Sequence, residues 1–128
     1  MMNILIADDN EFIVQTVSSI LRNAGYDTLL TAQNGCEIIS TIKSEKIDLI
    51  ITDVAMPEMD AIELLKYFKS QDIKIPLVLI SGEDPKMLDM IARLGERYDA
   101  KILDVFKKPI QADALIALLQ SFSQNNAA

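Results

Sequence analysis

Short apolar runs rich in β-branched residues alternate five times with segments of helical periodicity, and the connections between them are short. That alternation is the pattern of an α/β sheet whose parallel strands are joined by crossover helices and covered on both faces. The strand-like runs are residues 3–7, 28–31, 49–52, 77–80 and 102–106, the last less apolar because it contains Asp104. Helices are expected over 11–24, where Gly25 stops the first, and from Asn34-Gly35 through Ser44. A third begins near Pro57 and Glu58 and runs to about Lys69; a fourth follows Asp84-Pro85 to about Leu94. The last, 110–122, follows the turn at Lys108-Pro109, with Ile110, Ala114, Leu115, Leu118, Leu119 and Phe122 on one face. Residues 95–101 show no clear period and read as a longer loop. The five units use residues 1–122 as one domain and leave 123–128 as a short polar tail.

Composition narrows the function more by exclusion. A net charge of −7 leaves no basic surplus to release counterions from a nucleic-acid backbone, and only Lys107 and Lys108 are adjacent cations. Trp is absent, which removes a common stacking platform for single strands. Direct nucleic-acid binding is therefore not expected. No run is long enough to span a bilayer and residues 1–7 lack a basic flank, so the sequence predicts a cytoplasmic chain without membrane insertion. The lone Cys36 fits a reducing compartment and reads as a small space-filler. Without histidine, the chain has no imidazole nucleophile activation, no imidazole zinc ligands and no phosphohistidine of its own.

Chemistry-bearing residues stand at the ends of the apolar runs. Asp8 and Asp9 close the first, Asp53 the third, Ser81 the fourth, and Lys108 follows the fifth. In open parallel sheets, ligands sit beyond the carboxyl ends of the strands, near the point where strand order reverses. These residues, far apart in sequence, would then converge in one acidic pocket with a cation beside it. Three neighbouring carboxylates repel unless a cation sits among them, and a hard ion that keeps waters, such as Mg²⁺, suits the set better than Ca²⁺. Asp53, in a loop continuing Val54-Ala55-Met56-Pro57, could attack phosphorus to give an aspartyl phosphate. Lys108 could pair with the developing charge and Ser81 could hydrogen-bond a phosphoryl oxygen.

In this order and spacing, Asp8-Asp9, Asp53 with Met56-Pro57 and Asp60, Ser81-Gly82 and Lys108-Pro109 resemble the receiver domain of two-component response regulators, over residues 3–122. The resemblance implies a flavodoxin-like (βα)5 three-layer sandwich with a parallel sheet of order 2-1-3-4-5. It implies that Asp53 is the phosphoacceptor for a sensor histidine kinase or a histidine phosphotransfer protein. Asp8, Asp9, Asp53 and the backbone carbonyl of Ala55 would hold Mg²⁺, for which Mn²⁺ can substitute. Ser81, Gly82 and Lys108 would bind phosphate and switch, Ala55 and Glu83 would modulate hydrolysis, and Pro57 and Pro109 would shape turns. Such a domain catalyses its own phosphorylation and dephosphorylation and is not expected to turn over a free substrate. Output would pass to a downstream protein through helix 84–94, strand 102–106 and helix 110–122, with a homodimer through the last two helices left open.

Two positions depart from the family pattern. Val105 stands where an aromatic usually precedes the lysine by three residues, and Phe106, one position on, should face the other way. Ala61 stands where a glycine commonly follows Asp60. With no output domain read after the last helix, a single-domain receiver acting through partners is expected. A receiver fragment of a longer regulator and a phosphorylation-independent interaction module of the same fold are alternatives. A phosphatase using Asp53 as nucleophile lacks a cap or lid to exclude water.

Overall fold

The computed structural model describes residues 2–56, 59–82 and 85–125. Five strands, β1 (Ile4–Ala7), β2 (Leu29–Ala32), β3 (Leu49–Asp53), β4 (Leu77–Ser81) and β5 (Ile102–Lys107), alternate with five helices. These are α1 (Glu11–Asn23), α2 (Gly35–Ser44), α3 (Ala61–Gln71), α4 (Pro85–Arg97) and α5 (Ala112–Asn125). All strand pairs are parallel and the sheet order is β2-β1-β3-β4-β5, as the flavodoxin-like expectation required. β1, β3 and β4 are buried along their whole length, which is why their sequences are continuous apolar runs rather than alternating ones.

Alternate residues of those strands feed two cores. Leu5, Ala7, Ile50, Leu77 and Leu79 pack with Ile38 of α2, Leu64, Leu65 and Phe68 of α3 and Ile91 of α4. Ile4, Ile6, Leu49, Ile51, Val78 and Ile80 pack with Val14, Val17 and Leu21 of α1 and Leu115 and Leu119 of α5. Three helices cover one face and two the other. A register irregularity between β4 and β5 pairs Val78 with Asp104 after Leu77 with Ile102, so Leu103 is the extra residue. Hence Ile102 and Val105, three apart, share one face, while Leu103 and Phe106 share the other. Val105 and Phe106 do point to opposite faces.

Several boundaries differ from the sequence reading. The third helix starts at Ala61, not near Pro57 and Glu58, because the Asp60 carboxylate accepts the Glu63 amide at 3.0 Å as N-cap. Pro57, Glu58, Glu83 and Asp84 lie outside the described residues. The irregular stretch after Leu94 is largely helix: α4 runs to Arg97 and closes through Ala100 N–H to Gly95 O and Asp99 N–H to Glu96 O. Residues 123–125, read as tail, continue α5. Ala114 is exposed rather than on the packed face, and Cys36 is exposed in the first turn of α2 rather than filling space. The buried residue there is Gly35. A Cβ on it would lie 2.5 Å from Met59 Cβ and 2.6 Å from the Met59 carbonyl oxygen. A backbone oxygen cannot move as a side-chain tip can. Gly35→Ala is therefore expected to cost about 1–3 kcal/mol despite alanine's better helix propensity, read as a lower midpoint in urea.

Candidate functional site

The site forms at the carboxyl end of the sheet, between β1 and β3, where the chain order reverses. β1 continues its ladder by one bond, Asp8 N–H to Ala32 O at 3.1 Å, then turns sharply. The turn is made by Asp8 itself, whose Oδ1 accepts the Asn10 amide at 2.9 Å. Asn10 then caps α1 by accepting the Phe12 amide. This curl lets two consecutive aspartates reach the same place. Carboxylate oxygens of Asp8, Asp9 and Asp53 all lie within 4.8 Å of one another, with Asp8 and Asp53 buried and Asp9 exposed.

β3 and β5 supply the other side. Asp53 closes β3, and Val54 N–H to Ile80 O at 3.0 Å holds the chain against β4 one residue further. Asp53 Oδ1 accepts the Ala55 amide at 3.3 Å. Lys108 N–H donates to Ser81 O at 2.8 Å, which brings the lysine over the pocket; the peptide linking it to Pro109 is cis. Lys108 Nζ lies 3.2 Å from Asp53 Oδ2, as a hydrogen bond, and 3.2 Å from Asp8 Oδ2. The contact with Asp8 is an ion pair without hydrogen-bond direction, and Asp8 Oδ2 has no hydrogen-bond partner. Gly82 is exposed beside the lysine stem, and Ser81 is fully buried at the end of β4.

Electrostatics follow from this crowding. Burial raises the Asp8 carboxyl above the ordinary carboxylate range, the Asp53 charge adds to it, and the Asn10 amide and Lys108 only partly offset them. For Lys108, burial works against the charged form, but Asp53 and Asp8 together outweigh it and the ammonium is held more strongly than usual. A buried carboxylate oxygen without a hydrogen bond, facing two further carboxylates, is a group of atoms able to coordinate a divalent cation.

Thus the structure brings together Asp8, Asp9, Asp53 and Lys108, with Ser81, Gly82 and Ala55 on the adjoining strand ends and loop. Glu83, expected from the resemblance to modulate hydrolysis, lies outside the described residues. Two neighbours went unnoticed in the sequence. Asn10 organises the Asp8 turn, and the signal for it was an N-cap residue directly before the first helix. Thr52, buried, bonds the Asp53 carbonyl through its hydroxyl and lies 3.8 Å from Met56 Sδ, for which no sequence pattern exists.

Comparison with known proteins agrees with this geometry. The family model described as response regulator receiver domain matches residues 4–120. The chemotaxis protein CheY of Bacillus subtilis is 32% identical over 115 residues, covering 88% of this chain and 90% of CheY. The alkaline phosphatase synthesis transcriptional regulatory protein PhoP of Bacillus subtilis is 37% identical over 81 residues, 63% of this chain but only 33% of PhoP. Among solved structures, chemotaxis protein CheY4 of Vibrio cholerae superposes with a TM-score of 0.78 at 30% identity, covering 94% of this chain and 98% of that one. Among the described residues, no helix is long and apolar enough to cross a membrane.

Proposed function

We infer that this chain, which belongs to the response regulator receiver family, takes a phosphoryl group from a partner phosphohistidine onto Asp53 and passes the signal on through altered partner binding. One observation carries the reading: three carboxylates meet at the switch point of a parallel sheet, and a single lysine touches the two buried ones at 3.2 Å. In the transfer, an Asp53 carboxylate oxygen forms a bond to phosphorus as the bond from phosphorus to the donor imidazole nitrogen breaks; with the proton on its other ring nitrogen, that imidazole takes the electron pair and leaves neutral. Lys108 stabilises charge on the phosphoryl oxygens. Ser81 and Gly82 are positioned beside them on β4 and the following loop, and Ala55 and Glu83 modulate the approach of water. Pro57 and Pro109 shape the flanking turns.

Asp8, Asp9, Asp53 and the Ala55 carbonyl would hold Mg²⁺, with Mn²⁺ as a substitute; the three carboxylates within 4.8 Å, with Asp8 Oδ2 buried and lacking a hydrogen bond beside the Lys108 ammonium, are the feature that fits such an ion. When bound, the ion supplies charge neutralisation for the carboxylates and the transferred group. The donor is a sensor histidine kinase or a histidine phosphotransfer protein, and the work is done in the cytoplasm. The receiver unit runs through α5 to Asn125, and its output face is α4, β5 and α5. The acyl phosphate adds charge and acceptors beside Ser81 and Lys108, whose neighbouring elements are these three.

The test is intact-protein mass spectrometry after incubation with phosphoramidate. The expected result is a gain of one phosphoryl group with Mg²⁺ present and none in EDTA. A protein that stays unmodified with both donor and Mg²⁺ overturns the assignment.

A further inference from the structure

The output face carries a groove of about 530 Å³ between α4 and β5 that the receiver chemistry does not use. Its apolar part includes Leu88, Ile102 and Val105, all half-buried, and its polar part is Asp89, Glu96 and Asp104, all exposed. No lysine or arginine lines it among the described residues. Asp89 and Glu96 are seven residues apart, two turns, and so share the side of α4 that borders the groove, with Arg93 next to them on the helix but not lining it. Arg93 reaches Asp89 at 3.1 Å from the same helix, and one Asp104 oxygen accepts the Val105 amide at 2.7 Å. Glu96 has no such counter-ion among the described contacts.

Val105 explains why there is room. It sits on the α4 side of the sheet, packed against the core that α2, α3 and α4 cover. An aromatic ring there would project between α4 and β5; the short valine leaves the space to something else. An apolar floor rimmed by Glu96 and Asp104, with Asp89 shared with Arg93, is complementary to a basic segment with one large apolar side chain. Resting on the receiver assignment above, we propose that this groove binds a basic segment of the downstream partner protein, seating one aromatic side chain over Val105 and placing its cations against Glu96, Asp104 and Asp89.

The probe is a blocked pentapeptide, Arg-Lys-Phe-Lys-Arg, titrated into isotopically labelled protein with and without beryllofluoride and Mg²⁺, and followed by amide shifts. Saturable shifts confined to α4 and β5 are expected. They should weaken about tenfold or more when the central Phe of the peptide is replaced by Ala, and likewise in Val105→Phe, which fills the socket, and in Glu96→Lys. Raising salt should weaken binding too. An equal response to Glu-Asp-Phe-Asp-Glu, shifts only around Asp8, Asp9 and Asp53, or undiminished binding in both variants overturns the proposal. Groove shifts that follow protein concentration without peptide would identify a second copy as occupant and overturn it as well. Phosphorylation of the wild-type sample by phosphoramidate is read separately, so failure of the groove leaves the Asp53 assignment standing and failure there is seen directly.

Discussion

Asp53→Asn is expected to yield a folded protein that gains no phosphoryl mass under conditions that load the wild type. The substitution keeps shape and hydrogen bonding: an amide oxygen can still accept the Ala55 amide, which lies 3.3 Å from Asp53 Oδ1. What it removes is the anionic oxygen that attacks phosphorus, since a neutral carboxamide is not a nucleophile at neutral pH. Lys108 loses one of its two carboxylate partners but keeps Asp8 at 3.2 Å, so its ammonium remains paired. Circular dichroism should therefore match the wild type while modification falls to background. Hydroxylamine should strip the group from the wild type, as an acyl phosphate requires. Phosphoryl uptake persisting in Asp53→Asn would place the acceptor elsewhere, with Asp9, an exposed carboxylate within 4.8 Å of Asp53, the first to test.

How much of this was readable in advance depends on which physics wrote each feature. The central strands were legible because double-sided burial of β1, β3 and β4 demands unbroken apolar runs. The site was legible for the same reason, since each run ends abruptly in a polar group. Helix ends were less so. α1, α3 and α4 finish with the same pair of reversed bonds, to Leu21 and Arg22, to Phe68 and Lys69, and to Gly95 and Glu96. The residue that turns left-handed is Gly25 in the first but Asp72 and Asp99 in the others, with φ of 54° and 55°. Glycine announces such a turn; aspartate, more often a cap or a charge, does not. Lys74, 2.6 Å from Asp99 and 3.8 Å from Asp72, ties those two corners together, a pairing no local pattern encodes. The β5 irregularity at Leu103 was hidden likewise. It breaks the period of two, so the strand looked merely less apolar.

The pocket that suits a cation should be a burden without one, and Asp8→Asn exposes this. In the metal-free protein the variant is expected to be more stable at neutral pH, by about 1 kcal/mol or more, a few degrees in calorimetric midpoint. The reason is that Asp8, 1% exposed, bears a charge whose Oδ2 has no hydrogen bond and which lies among like charges. The sign follows from proton linkage. Because burial and Asp53 raise the Asp8 carboxyl above its ordinary value of 3.8, the native state holds that proton to higher pH than the unfolded chain does. The contribution of this group to stability is thus full below the unfolded value and is lost as pH rises through the raised native one. Asparagine has no such proton to lose, so wild type and variant should diverge across that window and stay apart above it. Adding Mg²⁺ should reverse the order. The wild type gains a ligand-dependent rise in midpoint by mass action, and the variant, lacking one carboxylate, should bind more weakly by more than the ~10–100-fold typical of losing a mere outer partner. A metal-free Asp8→Asn protein less stable than the wild type would mean that the Lys108 ion pair outweighs the desolvation and repulsion at Asp8. An unchanged Mg²⁺ response would remove Asp8 from the cation site altogether.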